Sequence, residues 1–281
     1  IVYHLSGAEA FKPNLSKSLI YRKAIEPHTV YSNGVPEWVA LDKLPTYAKE
    51  VIWTLIYRKM KGKRGSTMLF PWETERLISL IMDANGGCSL SGRSFSFDSQ
   101  RFEITRGTRV FPGGRPVGEP IRLSVDDIRK GETYFQAYIL QMLSAGRNTF
   151  LPEIFGENIL WIGNEVFAGS GMQKIDLFII EALSEFEHVY RIVELKHPRS
   201  GGGLDSAPAQ LEYYINWARE DIGGHVIGSR EFNIKPIILC LTDRFGSVPL
   251  SVVKQTASLS RISREPEIWE VDFDLNARRI L

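Results

Sequence analysis

The sequence predicts an α/β protein with an α+β N-terminal part, and three observations carry that prediction. Past residue 124 the apolar pattern runs helix, strands, helix, strand, an order that folds as a sheet of mixed pairing flanked by helices. The chain has 281 residues, 43% of them hydrophobic and 24% charged, enough apolar material for one large domain or two ordinary ones. Pro112-Gly113-Gly114-Arg115-Pro116 is the strongest breaker in the chain, so we expect one domain over 1–118 and a second over 119–281.

In chain order, the first forty residues mix short apolar runs with Gly, Pro and Asn, and read as strands or irregular structure. Residues 47–60 read as a helix, because Ala48, Val51, Ile52, Leu55 and Ile56 recur at helical spacing. A basic tip follows: Arg58, Lys59, Lys61, Lys63 and Arg64. Pro71 opens a second helix through Leu77, Ile78 and Ile81 that stops at Asn85-Gly86-Gly87. Phe95 and Phe97, then Phe102 and Ile104, alternate with polar residues as a hairpin does. Ser124 with Asp127 reads as a capping box opening a helix of about twenty residues. Strands are expected over 158–162, 165–167, 175–182 and 190–195. A helix over 207–219, a buried strand over 236–241, a helix over 252–258 and a last strand over 268–273 complete the order.

Charge is unevenly spread. The whole chain carries +1, but residues 1–130 carry +7 and residues 131–281 carry −6. A basic half beside an acidic half fits a division between attracting a polyanion and gathering carboxylates, although ordinary fluctuation between domains gives the same figure. Cys88 and Cys240 lie far apart without metal-ligand spacing. Reduced thiols, and hence a cytoplasmic protein, are the simplest expectation, with a single disulfide between them left open. No apolar run approaches the roughly 20 residues of a bilayer span, so no membrane partner is expected.

The chemistry is expected at Asp176, Glu194 and Lys196. If the turn between the strands over 175–182 and 190–195 is centred on Glu185, antiparallel pairing sets Asp176 opposite Glu194, and Lys196 shares their face. A turn centred one residue away breaks that register. Two carboxylates suit a hard divalent cation, and an ammonium beside them can orient a water or stabilise charge on a phosphate. The rival reading is a cross-strand salt bridge at a solvated sheet end. Gln210 shares a helix face with Tyr213, Tyr214 and Trp217, a polar residue on a packing face. Glu132 falls on the stripe of Ile128, Phe135, Ile139 and Met142, with Gln136 four residues on. Glu165, eleven residues before Asp176, is a further site-lining candidate. Arg199 and His197, beside Gly201-Gly202-Gly203, are placed to approach phosphate. That glycine run lacks the ending of a phosphate-binding P-loop, and no Gly-x-Ser-x-Gly elbow is present.

The run Gly171-Met172-Gln173-Lys174-Ile175-Asp176, then Glu194-Leu195-Lys196, then Gln210-Leu211-Glu212-Tyr213-Tyr214 resembles the PD-(D/E)xK nuclease superfamily, in its RecB-like branch. Two groups match further. Shedu-type anti-phage nucleases share a Glu132-to-Gln136 element, a Glu before the Asp strand and a Glu-Leu-Lys-x-Pro run like residues 194–198. NucS-type mismatch endonucleases share the Asp, Glu-x-Lys and Gln elements. The match spans about 131–245, and Lys174 stands where the motif often has Pro. The resemblance implies a restriction-endonuclease-like fold in which Asp176 and Glu194 bind Mg²⁺ or Mn²⁺. It makes Lys196 the catalytic lysine, with Gln210 positioning it or a water, and has Glu132 or Glu165 assist the metal. It implies an endonuclease acting on DNA, with RNA left open, as a homo-oligomer and in anti-phage defence. The alternatives are a mismatch or repair endonuclease and a binding module on an inactive nuclease fold. The basic tip and Arg199 would contact backbone phosphates.

Overall fold

A computed structural model describes residues 2–11, 21–43, 68–91, 94–98, 100–101, 103–110, 119–120, 122–144, 150–169, 173–199, 203–223 and 233–281. The helix expected over 47–60, the basic tip and the breaker at 112–116 lie outside these residues. The chain divides into two compact units. One is Ile1–Thr46 with Pro71–Arg122, and the other is Tyr47–Phe70 with Leu123–Leu281.

In the first unit, β1 (Val2–Phe11) pairs antiparallel with β2 (Tyr21–Thr29). A short helix α1 (Glu37–Lys43) and the helix α2 (Pro71–Ala84) follow. The helix α2 ends where the sequence says it must. Asn85 returns its side-chain amide to the carbonyls of Ile81 and Asn33, and Gly86 and Gly87 take positive φ. The expected hairpin is β3 (Ser94–Asp98) against β4 (Glu103–Val110), and β5 (Glu119–Pro120) adds to the free side of β1.

The second unit is built on one six-stranded mixed sheet. The expected helix of about twenty residues after Ser124 is two pieces. The backbone N–H of Ser124 donates to Asp127 and opens a 3-10 turn over Val125–Lys130. Gly131, at φ 153, breaks the chain direction before α3 (Glu132–Ser144) begins. Then come α4 (Pro152–Phe155), β6 (Ile159–Phe167), β7 (Lys174–Ala182), β8 (His188–Lys196), α5 (Ala207–Trp217), β9 (Asn233–Thr242), α6 (Leu250–Ser258), β10 (Glu267–Asp272) and β11 (Ala277–Arg279). The sheet order is β11-β10-β9-β8-β7-β6. Pairing is antiparallel from β6 to β8, parallel from β8 to β10, and antiparallel again at β11.

Strand periodicity decides the faces. Leu177, Ile179, Val193, Leu195, Ile237, Leu239 and Val271 are buried on one face, in a core shared with Ile128, Phe135 and Ile139 of the 3-10 turn and α3. Phe178 and Tyr190 alternate with them and meet an aromatic group on the other face, where Phe70 contacts Trp161, Phe178 and Trp217. The helix α5 covers that second face and buries Leu211, Tyr214 and Ile215. Pro236 precedes Ile237–Cys240, the stretch of β9 that pairs on both sides. A strand tolerates a missing donor there. The strands expected separately at 158–162 and 165–167 form one strand, carried through Glu165 at φ 51. Cys88 is an exposed free thiol and Cys240 a buried one, so no disulfide joins them. Among the described residues, no helix is long and apolar enough to cross a membrane.

Candidate active site

The hairpin of β7 and β8 turns about Glu185. Leu183 and Ser184 donate backbone N–H groups to Glu187 across the turn, and the pairs Leu177–Val193 through Ala182–His188 keep one register. One step further sets Asp176 across from Glu194. Asp176, Glu194 and Lys196 alternate with the core residues Leu177, Val193 and Leu195, so they belong to the face that α5 covers. The trio thus gathers where β7 begins and β8 ends.

Its contacts are specific. Lys196 Nζ donates to Glu194 Oε1 at 2.7 Å and to Gln210 Oε1 at 3.1 Å. Gln210 is therefore the polar residue on a packing face that meets a polar partner. The backbone N–H of Leu195 donates to Asp176 Oδ2 at 2.8 Å. From the opposite face of the sheet, Gln136 Nε2 donates to the Asp176 carbonyl at 2.8 Å and fixes the backbone that carries it. Glu132 opens α3, half-buried, close enough for its charge to act on both Asp176 and Glu194. Glu165 lies on β6 between the pairs Asn164–Leu177 and Val166–Ile175, beside Asp176 in register. It forms an ion pair with Lys174, and its charge also reaches Glu194. Tyr214 of α5 donates its hydroxyl to the Lys174 carbonyl at 2.7 Å, pinning the helix to the start of β7.

The electrostatics are those of crowded carboxylates short of positive charge. Burial first, and then the Glu194 charge, push Asp176 up to about 8, against the bond from Leu195. Burial also raises Glu194, although Lys196 opposes it. Glu194 is only 3% exposed, and its Oε2 is buried without any hydrogen-bond partner. A buried carboxylate oxygen left unmatched is costly. A divalent cation reaching Glu194 Oε2 and the Asp176 carboxylate would satisfy it with the hard-oxygen donors such ions take. Among the described residues, no three acidic, His or Cys side chains stand together as a ready cage. Glu194 is held by Lys196, Asp176 by the Leu195 N–H and Glu165 by Lys174.

One expectation changes. His197 does not approach phosphate. It is 4% exposed, its Nδ1 accepts the Arg199 N–H at 3.0 Å, and its Nε2 faces the Ile128 carbonyl at 3.0 Å. With Nδ1 accepting, Nε2 carries the proton, and the ring is a brace between β8 and the 3-10 turn. Arg199 is exposed, three residues beyond Lys196. Arg58, Lys59, Lys61, Lys63 and Arg64 lie outside the described residues.

Sequence reading missed Glu270, which is fully buried. It accepts the N–H groups of Gly246, Ser247 and Val248 and the Ser247 hydroxyl. A carboxylate inside the apolar run Ile268-Trp269-Glu270-Val271 was the signal that could have found it. Comparison with protein families, with curated proteins and with solved structures finds no match for this chain, so the chemistry of the site rests on these contacts alone.

Proposed function

We propose that the chain is a metal-dependent endonuclease that hydrolyses DNA phosphodiesters on a restriction-endonuclease-like fold. The observation that carries this reading is the convergence of Asp176, Glu194, Lys196 and Gln210 around the unpartnered Glu194 Oε2. Asp176 and Glu194 would hold Mg²⁺ or Mn²⁺, with Glu132 and Glu165 as the nearest further carboxylates. A cation there supplies charge neutralisation at the scissile phosphate and a more acidic bound water. Gln210 holds the Lys196 ammonium against Glu194, at the place where a phosphate oxygen gains charge as the bond breaks. Gln136 and Leu195 fix Asp176 from its backbone and its carboxylate, and Lys196 holds Glu194, so both acids are positioned before substrate arrives. The Shedu-like order of these residues favours a role in anti-phage defence.

The Lys196–Glu194 ion pair favours a second reading, a nucleic-acid-binding module that keeps the fold without the reaction. A substrate panel separates the two: single-stranded, duplex, nicked and mismatched DNA, each with Mg²⁺ or Mn²⁺. The enzyme cuts at least one of them, and Lys196→Ala binds DNA but does not cut. Binding without cleavage by the wild type under either metal supports the module.

A further inference from the structure

Next to the site lies a cleft of about 480 Å³, lined by Lys196, Leu204, Cys240, Thr242, Arg244 and Ser247 among others. It opens at the C-terminal ends of the parallel strands β8 and β9, the end of an open α/β sheet where ligands bind. Its two sides are built rigid. On one side the loop 243–248 hangs on the buried Glu270, which accepts from three consecutive backbone N–H groups. Thr242 Oγ1 braces the same loop, accepting the Arg244 N–H at 3.1 Å and donating to the Arg244 carbonyl at 2.7 Å. On the other side the His197 brace holds the end of β8. A fully buried carboxylate fixes the shape of this loop, so a ligand entering the cleft meets a wall already formed.

The lining selects the ligand. Leu204 and Cys240 line an apolar interior, Arg244 stands exposed at the rim beside Asp243, and the Ser247 hydroxyl is turned inward to Glu270. An apolar body with an anionic edge describes a nucleotide, and the volume lies in the small-ligand range. Lys196 belongs to both the cleft and the proposed catalytic centre, so the nucleotide held here adjoins the scissile phosphate. A stacked and paired base cannot enter without leaving the duplex, which costs least where the nucleotide is already unpaired. Building on the nuclease reading, we propose that this cleft receives one unpaired nucleotide beside the cut site. The preferred substrate is then a strand that is single, frayed or flapped at that position, with Arg244 on its phosphate.

The test compares two duplexes identical except for one unpaired nucleotide at the cut site, with Mn²⁺. The wild type should cut the unpaired substrate about tenfold faster or more. Leu204→Trp, which fills the cleft, and Arg244→Ala should both lose most of that advantage, and circular dichroism checks that each is folded. Equal rates on the two duplexes, or an advantage kept by both variants, overturn the proposal and leave the nuclease reading standing. If the wild type cuts neither, the nuclease reading fails, and fluorescence anisotropy with a short metal-free single strand decides the cleft. Binding weakened about tenfold in both variants supports it, and unchanged binding in both overturns it.

Discussion

At the residue scale, the turn centred on Glu185 sets Asp176 across from Glu194, and a two-residue step along β8 adds Lys196. Their surroundings come from elsewhere in the chain: Gln136 on the Asp176 carbonyl, Lys174 on Glu165, Ile128 on His197. These contacts predict an ordering of stabilities. Glu194→Gln removes a charge that burial disfavours and should leave the metal-free protein as stable as wild type or more so, while abolishing cleavage. Lys196→Ala leaves Glu194 buried without its cation and should cost roughly 2–4 kcal/mol in denaturant unfolding. The reverse order contradicts the assignment. Asp176 gives a pH dependence whose sign follows from its raised pKa. Between about 4, its unfolded value, and about 8, its folded value, the folded chain holds the extra proton. Its contribution is therefore complete below about 4 and lost as pH rises through about 8. Metal-free melting temperature should fall over that window. Asp176→Asn should flatten the slope, and Mn²⁺ should raise the melting temperature more at pH 8 than at pH 6.

At the element scale periodicity predicted the central strands, the helices α5 and α6, the mixed pairing and the register of Asp176 with Glu194, but no partner that comes from elsewhere in the chain, such as Gln136. It failed where single residues redirect the backbone. Gly131 cuts one expected helix into a 3-10 turn and α3, and Glu165 at positive φ carries one strand through an expected gap. The strand β11 escaped notice because all three of its residues are exposed and show no apolar alternation. The seat of α5 offers a test, since this helix carries Gln210. Gly169, at φ 64, lets the β6–β7 connection approach Tyr213, whose hydroxyl donates to the Ala168 carbonyl at 3.3 Å. A Cβ there would stand 2.5 Å from that hydroxyl. Gly169→Ala should cost about 1–3 kcal/mol through left-handed strain and this clash. It should also lower the cleavage rate by displacing Gln210. Glu270→Gln, which loses the charge that three N–H groups point at, should cost about 1–3 kcal/mol in the same assay.

At the scale of the whole molecule, the sequence marked a basic first part and an acidic second part, and the second unit holds every residue of the proposed centre. The first unit ends at Arg122 and the second takes up again at Leu123. If Arg58, Lys59, Lys61, Lys63 and Arg64 contact phosphates, replacing all five with Gln should weaken binding to every DNA sequence alike. It should also reduce the slope of log affinity against log salt by up to about 4. An unchanged slope assigns DNA binding to other residues. The central claim is that Asp176, Glu194 and Lys196 form one metal-dependent hydrolytic centre. Its most direct test is the conversion of supercoiled plasmid to nicked or linear DNA by the wild type, Glu194→Gln and Lys196→Ala at equal concentration, with Mn²⁺ and again with EDTA. The account predicts conversion by the wild type with Mn²⁺ alone, and rates lower by about 10²–10³ in both variants. Conversion by Lys196→Ala at the wild-type rate, or by the wild type in EDTA, would contradict it.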